Sequence, residues 1–208
     1  MKKKFNTLIF FCLLTAIINA QKKPNVIIIY TDDQATLDVN ILGAKDLVSP
    51  NMDKLMLSGT TFTQFYASPV CSPSRASLLT GKNPQRAGVP GNAGQDLSRT
   101  SGLPPSEYTM AEMFKENGYA TYLIGKWHLG SRPMGFDTFK YHNSVVQQGA
   151  YWDPVYNENG RDVKQRGYAT NLTTGFALEW LDKQKNSARP FLMLFLERCC
   201  LQYHIFFS

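Results

Sequence analysis

"PNVIIIYTDDQ" (residues 24–34) is an apolar, β-branched run set between a proline and a pair of carboxylates. Val26 to Tyr30 lack the polar alternation of a strand with one wet face. The stretch therefore reads as a parallel-sheet strand buried on both faces. Asp32 and Asp33 fall at its carboxyl end, the edge of an open α/β sheet where ligands bind. Two adjacent carboxylates repel each other unless a cation or a basic side chain lies between them. The pair is either a seat for a hard divalent cation such as calcium, which takes oxygen ligands, or a solvated turn.

Helix and strand patterns alternate downstream. Ser49-Pro50 opens a helix that Gly59 closes, with Met52, Leu55 and Met56 as its apolar stripe. "TTFTQFYA" (60–67) suits a short strand. Thr109 and Glu112 form a capping box for a helix carrying Met110, Met113 and Phe114 and ending at Gly118. "YATYLIG" (119–125) and "PFLMLFL" (190–196) read as further buried strands, and Leu172 to Lys185 as a helix. Alternation of this kind defines an α/β fold, a mainly parallel sheet flanked by helices, in one domain without internal repeats.

The ends of the chain read differently from its body. Lys2, Lys3 and Lys4, an apolar run from Leu8 to Ile18 and Ala20 follow the layout of a secretory signal peptide over residues 1–20. The run is shorter than the roughly 20 residues of a spanning helix, so no permanent membrane anchor is expected. The protein is expected to be exported, to the periplasm or beyond. Of 22 basic residues against 16 acidic, three lie in this leader, which leaves 19 against 16 and no basic stripe for nucleic acid. Beyond the leader, Cys71, Cys199 and Cys200 make an odd set, so at least one thiol is unpaired; a bond from Cys71 to one of the adjacent pair is the alternative. Residues 21–196 carry the domain pattern. Residues 197–208 lose it, and the expectation is a tail produced by a frameshift or premature end.

The chemistry concentrates in "PVCSPSRASLLTG" (69–81) and "GKWHLG" (125–130). In the first, Ser72 is a natural cap, Pro73 a natural first helical residue and Gly81 a terminator. Cys71 is then expected just outside a helix N-terminus, where free N–H groups favour an anion, and Arg75 in the first turn. A positive helix end, an arginine and a nucleophile suit attack on an anionic ester. The cysteine-to-arginine spacing is too short for a cysteine phosphatase. In the second stretch, if the extended conformation continues, Lys126 and His128 project to one face and Trp127 to the other. The alternative is a surface lysine beside a packed histidine. Tyr151, Trp152 and Tyr156 are aromatic residues that either stack on sugars or belong to the core.

Taken together, these stretches resemble the formylglycine-dependent sulfatases of the alkaline-phosphatase-like superfamily. "CSPSRASLLTG" looks like the sulfatase signature, "PNVIIIYTDDQ" like its first metal-binding strand and "GKWHLG" like its lysine–histidine motif, all in family order. The resemblance covers the N-terminal part of such a domain only. It implies that a maturation enzyme oxidises Cys71 to formylglycine, whose hydrate is the nucleophile. Asp32, Asp33 and residue 71 would hold calcium, with magnesium as an alternative. Arg75 would stabilise the ionised diol, Lys126 the sulfate, and His128 would assist collapse of the intermediate. The implied substrate is a sulfate ester, on a carbohydrate. Related readings are a phosphoester or phosphonate hydrolase of the same superfamily, and an inactive, truncated anion-binding fragment.

Overall fold

The computed structural model describes residues 22–93, 102–142 and 151–198. The leader, Cys199, Cys200 and the rest of the tail lie outside them. Six strands form one sheet: β1 (Val26–Asp32), β2 (Ala120–Lys126), β3 (Thr138–His142), β4 (Val155–Glu158), β5 (Arg161–Lys164) and β6 (Phe191–Arg198). Their order is β1-β6-β2-β3-β4-β5. The first four strands in that order are parallel, and the hairpin of β4 and β5 completes the sheet antiparallel. The α/β expectation holds, and the carboxyl ends of β1, β6, β2 and β3 share one edge.

Four α-helices occur among the described residues: α1 (Pro50–Ser58), α2 (Cys71–Thr80), α3 (Met110–Glu116) and α4 (Ala169–Gln184). Side chains alternate along strands, so each buried strand supplies two cores. On one face Leu123, Leu192, Leu194 and Leu196 pack with Ala76 and Leu79 of α2 and Ala111 of α3. On the other, Tyr122, Ile124 and Met193 pack with Ala177, Phe176 and Trp180 of α4. The capping box at α3 forms as read: the Glu112 N–H donates to Thr109 Oγ1 at 3.3 Å, and the Thr109 N–H donates to Glu112 Oε2 at 2.8 Å. Among the described residues no helix is long and apolar enough to cross a membrane.

Three local expectations are corrected. β1 is an edge strand of this sheet and is packed on one face only. Ile28 and Tyr30 pack against the α2-side core, whereas Ile27 is 48% and Ile29 60% exposed, because α4 lies over β2 and β6 and does not reach β1. The β-branched run reported strand propensity but not what covers it. Residues 60–67 form no strand; Phe62, Phe65 and Tyr66 stand exposed in turns and irregular chain. α1 exists within its expected limits, but it buries none of its residues, and Met52 and Leu55 face solvent.

The bare isoleucines of β1 make an exposed apolar surface of a kind that binds hydrophobic dyes. The chain is expected to enhance the fluorescence of anilinonaphthalene sulfonate. Ile29→Lys should lower that signal while shifting the urea midpoint little, since the side chain at position 29 is mostly exposed. An unchanged dye signal would show that this face is already covered.

Candidate active site

The carboxyl edge of the sheet gathers three of the six singled-out side chains, Cys71, Arg75 and Lys126, around a fourth, the Asp32 carboxylate. Tyr30 and Asp32 are two residues apart in β1 and so share the face on which α2 lies. Asp32 is 5% exposed, and its oxygens take three partners. Arg75 Nη2 donates to Oδ2 at 2.6 Å, and Lys126 Nζ lies 3.0 Å from Oδ1 and 2.9 Å from Oδ2. Cys71 Sγ is 3.6 Å from Oδ1 and 3.3 Å from Lys126 Nζ. Arg75 also donates through Nη1 to the Lys126 carbonyl, and its guanidinium carbon is 5.6 Å from the Tyr30 ring centre.

Burial raises the pKa of Asp32, but the charges and hydrogen bonds of Arg75 and Lys126 outweigh that effect and hold it at about 2. The carboxyl is thus ionised at any ordinary pH. Arg75 and Lys126 set two buried cations beside the amino end of α2, where free N–H groups favour an anion, and Asp32 with the nearby exposed Asp33 supplies two carboxylates.

Local backbone chemistry explains the assembly and departs from the sequence reading at one point. α2 begins at Cys71 itself, with Val70 as its cap residue, so the cysteine occupies the first helical turn and not the position before it. Ser72 does not cap because its hydroxyl is used sideways. It donates to the His128 carbonyl at 2.5 Å and accepts from the Ala93 N–H at 3.1 Å, while the Ser72 N–H donates to Asn92 Oδ1 at 3.1 Å. The Ser74 hydroxyl is hydrogen-bonded to the Tyr30 hydroxyl. One turn of helix is thereby tied to β1 and to the loop after β2.

Lys126 is the last residue of β2, and the extended conformation stops there. His128 has φ +53°, so the alternation expected to align its side chain with Lys126 does not extend to it. His128 is buried and joins the wall of the site through its carbonyl bond to Ser72. Asp33, with φ +59°, is exposed and forms no ion pair among the described residues. A donor atom from each of Asp32, Asp33 and Cys71 lies within 4.8 Å of the others. The carboxylates suit a hard divalent cation; the soft thiol sulfur does not.

Sequence reasoning passed over Tyr30, Ser72 as a cross-link and Asn92. Only Tyr30 left a signal, its two-residue spacing from Asp32.

A sequence profile of the sulfatase family matches residues 24–197. The chain belongs to the sulfatase family. Among its curated relatives are an N-acetylglucosamine-6-O-sulfatase of Bacteroides thetaiotaomicron, 34% identical over 85% of this chain and 30% of the relative, and the human N-acetylgalactosamine-6-sulfatase, 38% identical over 84% and 39%. A sulfatase chain of this kind also superposes on solved structures. One, in complex with its substrate D-glucosamine-2-N,6-O-disulfate, gives a TM-score of 0.76 at 34% identity, over 85% of this chain and 34% of the other. A second, in complex with k-i-k-neocarrahexaose, gives 0.74 at 31% identity, over 86% and 45%. This sulfatase chain spans about a third of the length of the curated relatives it matches.

Proposed function

We propose that this chain is the N-terminal part of an exported, calcium-dependent sulfatase that hydrolyses sulfate esters of a carbohydrate through a formylglycine made from Cys71. The observation that carries the reading is the meeting of Cys71, Arg75 and Lys126 around the ionised Asp32. The carbohydrate substrate rests on the relatives, whose names include sulfatases of N-acetylglucosamine and N-acetylgalactosamine.

In this reading a maturation enzyme oxidises the Cys71 side chain with an external two-electron acceptor, the sulfur leaving as hydrogen sulfide and a water oxygen taking its place, and the resulting aldehyde hydrates to a geminal diol. One diol oxygen attacks sulfur; the bond from sulfur to the alcohol oxygen breaks, and the alcohol leaves with a proton. His128 then takes the proton of the second hydroxyl, the C=O bond reforms and sulfate departs. One difficult displacement becomes two easier steps. Arg75 stabilises the ionised diol oxygen. Lys126, whose ammonium already lies 3.3 Å from the residue-71 side-chain heteroatom, holds the sulfate. Exchange of sulfur for oxygen at residue 71 also turns its donor set with Asp32 and Asp33 into oxygen only. Asp32, Asp33 and the oxygen of residue 71 would hold a calcium ion, which would supply charge neutralisation for the sulfate.

The test is turnover of a chromogenic aryl sulfate after co-expression with a maturation enzyme, with the mass of the residue-71 peptide read in parallel. Conversion of Cys71 to formylglycine is expected. Cys71→Ala should lower turnover by about a thousandfold or more, as loss of a covalent nucleophile does. Activity that survives Cys71→Ala removes the formylglycine route, and a faster reaction with the aryl phosphate redirects the assignment to phosphoesters.

A further inference from the structure

Trp152 is 71% exposed, the most exposed tryptophan of the chain, and it is not alone. Its ring centre is 5.3 Å from that of Tyr168, and Tyr168 is stacked at 6.1 Å and 27° on Tyr151. The group is rigidly mounted. Trp152 and Tyr168 form a β-bridge, the Ala169 N–H donates to the Tyr151 carbonyl at 2.7 Å, and the Asp153 N–H donates to the Gly167 carbonyl at 2.9 Å. The Asp153 carboxylate accepts from the Gly167 N–H at 2.8 Å. The backbone that carries the exposed indole is thus pinned by pairing, and the indole itself lies against the Tyr168 ring.

Topology puts this group at the same edge of the sheet as the site. β4 runs antiparallel to β3, so Val155 begins at the edge where β3 ends in His142, and His142 is the register partner of Lys126. Tyr168 directly precedes α4, whose Thr170 hydroxyl donates to Glu197 Oε1 at 3.0 Å near the carboxyl end of β6. Tyr156, grouped with Tyr151 and Trp152 by sequence, is separated from them by the fold. It is fully buried, and its hydroxyl lies 2.7 Å from that of Thr173.

We infer that Trp152, backed by Tyr168, is a stacking platform for a sugar ring of an oligosaccharide whose sulfated residue occupies the site at Cys71. The inference rests on the carbohydrate-sulfatase reading above and extends it from a single sulfated sugar to a longer chain. An indole face takes the C–H face of a pyranose while the sugar hydroxyls stay in water. A protein partner is the less fitting occupant. One exposed indole with two half-buried tyrosines is far smaller than the roughly 800 Å² per side of a stable protein interface.

The experiment is a binding titration on the intact chain, read by tryptophan fluorescence and by calorimetry. The probes are heparin-derived, chondroitin 6-sulfate and carrageenan hexasaccharides, with glucosamine 6-sulfate as the short probe. At least one hexasaccharide should bind, and Trp152→Ala should weaken it about tenfold, the upper range for a single aromatic contact. Trp152→Phe should stay within about threefold of the parent. Glucosamine 6-sulfate should bind all three proteins alike. Because position 152 is exposed, neither substitution should shift the thermal midpoint. Trp152-dependent hexasaccharide binding by a chain that shows no aryl sulfate turnover would remove the catalytic reading and keep the platform. Equal hexasaccharide binding by Trp152→Ala and the parent, or no binding of any hexasaccharide, overturns the platform.

Discussion

Asp32→Asn should cost about 3–5 kcal/mol of folding stability, the range found when one member of a buried ion cluster is removed. The asparagine keeps the shape and one acceptor but leaves Arg75 and Lys126, 1% and 3% exposed, without an anion. Against a domain stability of roughly 5–15 kcal/mol that loss is large, and a urea midpoint reads it directly. A change below about 1 kcal/mol would mean that water or a counter-ion already serves the two cations. The same carboxyl sets an acid limit. Its pKa is lowered from 3.8 to about 2, so its stabilisation is fully present above 3.8 and is lost as the pH falls through 2. The triple replacement Asp32→Leu, Arg75→Met, Lys126→Met should recover most of the stability that Asp32→Asn loses, since apolar groups of similar volume often match a buried ion cluster. That recovery would mean the charges are kept for chemistry and not for the fold.

Much of this architecture was legible because short-range rules fix it. The capping box at Thr109 and Glu112, the apolar runs of β2 and β6 and the glycine at the end of α2 report on neighbours within a few residues. The edge position of β1 was not legible, because the run from Val26 to Tyr30 has the same composition whether one helix layer covers it or two. The segment 60–67 has strand-forming residues but no strand beside it. At the site, residue types and order marked Asp32, Cys71, Arg75 and Lys126, and the fold brings those four together. Ser72 misled for a specific reason. A serine beside a helix start normally caps, yet here its hydroxyl goes to the His128 carbonyl, a partner 56 positions away that no local pattern announces. Likewise, the expected pairing of Lys126 with His128 assumed an extended chain, which the turn at His128 ends.

Gly125→Ala should be more damaging still, because two costs coincide at that residue. Its φ of +103° lies where side chains are disfavoured, and a Cβ built there would sit 1.9 Å from the Leu196 carbonyl oxygen and 2.8 Å from its carbon. Both obstacles are backbone, so no rotamer change relieves them. Gly125 and Leu196 are register partners between β2 and β6, the two central parallel strands. Added bulk must therefore push those strands apart one residue before Lys126, at the edge where Asp32 and Cys71 converge. A loss above about 4 kcal/mol is expected, in the class reserved for overpacking and backbone strain, and the protein should fail to show a cooperative urea transition. Gly81→Ala supplies the internal comparison. Gly81 ends α2 with φ +67°, and a Cβ there meets nothing within 4 Å. It should lose only about 1–2 kcal/mol, the cost of the left-handed conformation alone. If the two substitutions destabilise equally, close approach of β2 to β6 is not what demands glycine at 125. If Gly125→Ala alone abolishes the transition, the position of Lys126 depends on a strand contact that tolerates no side chain.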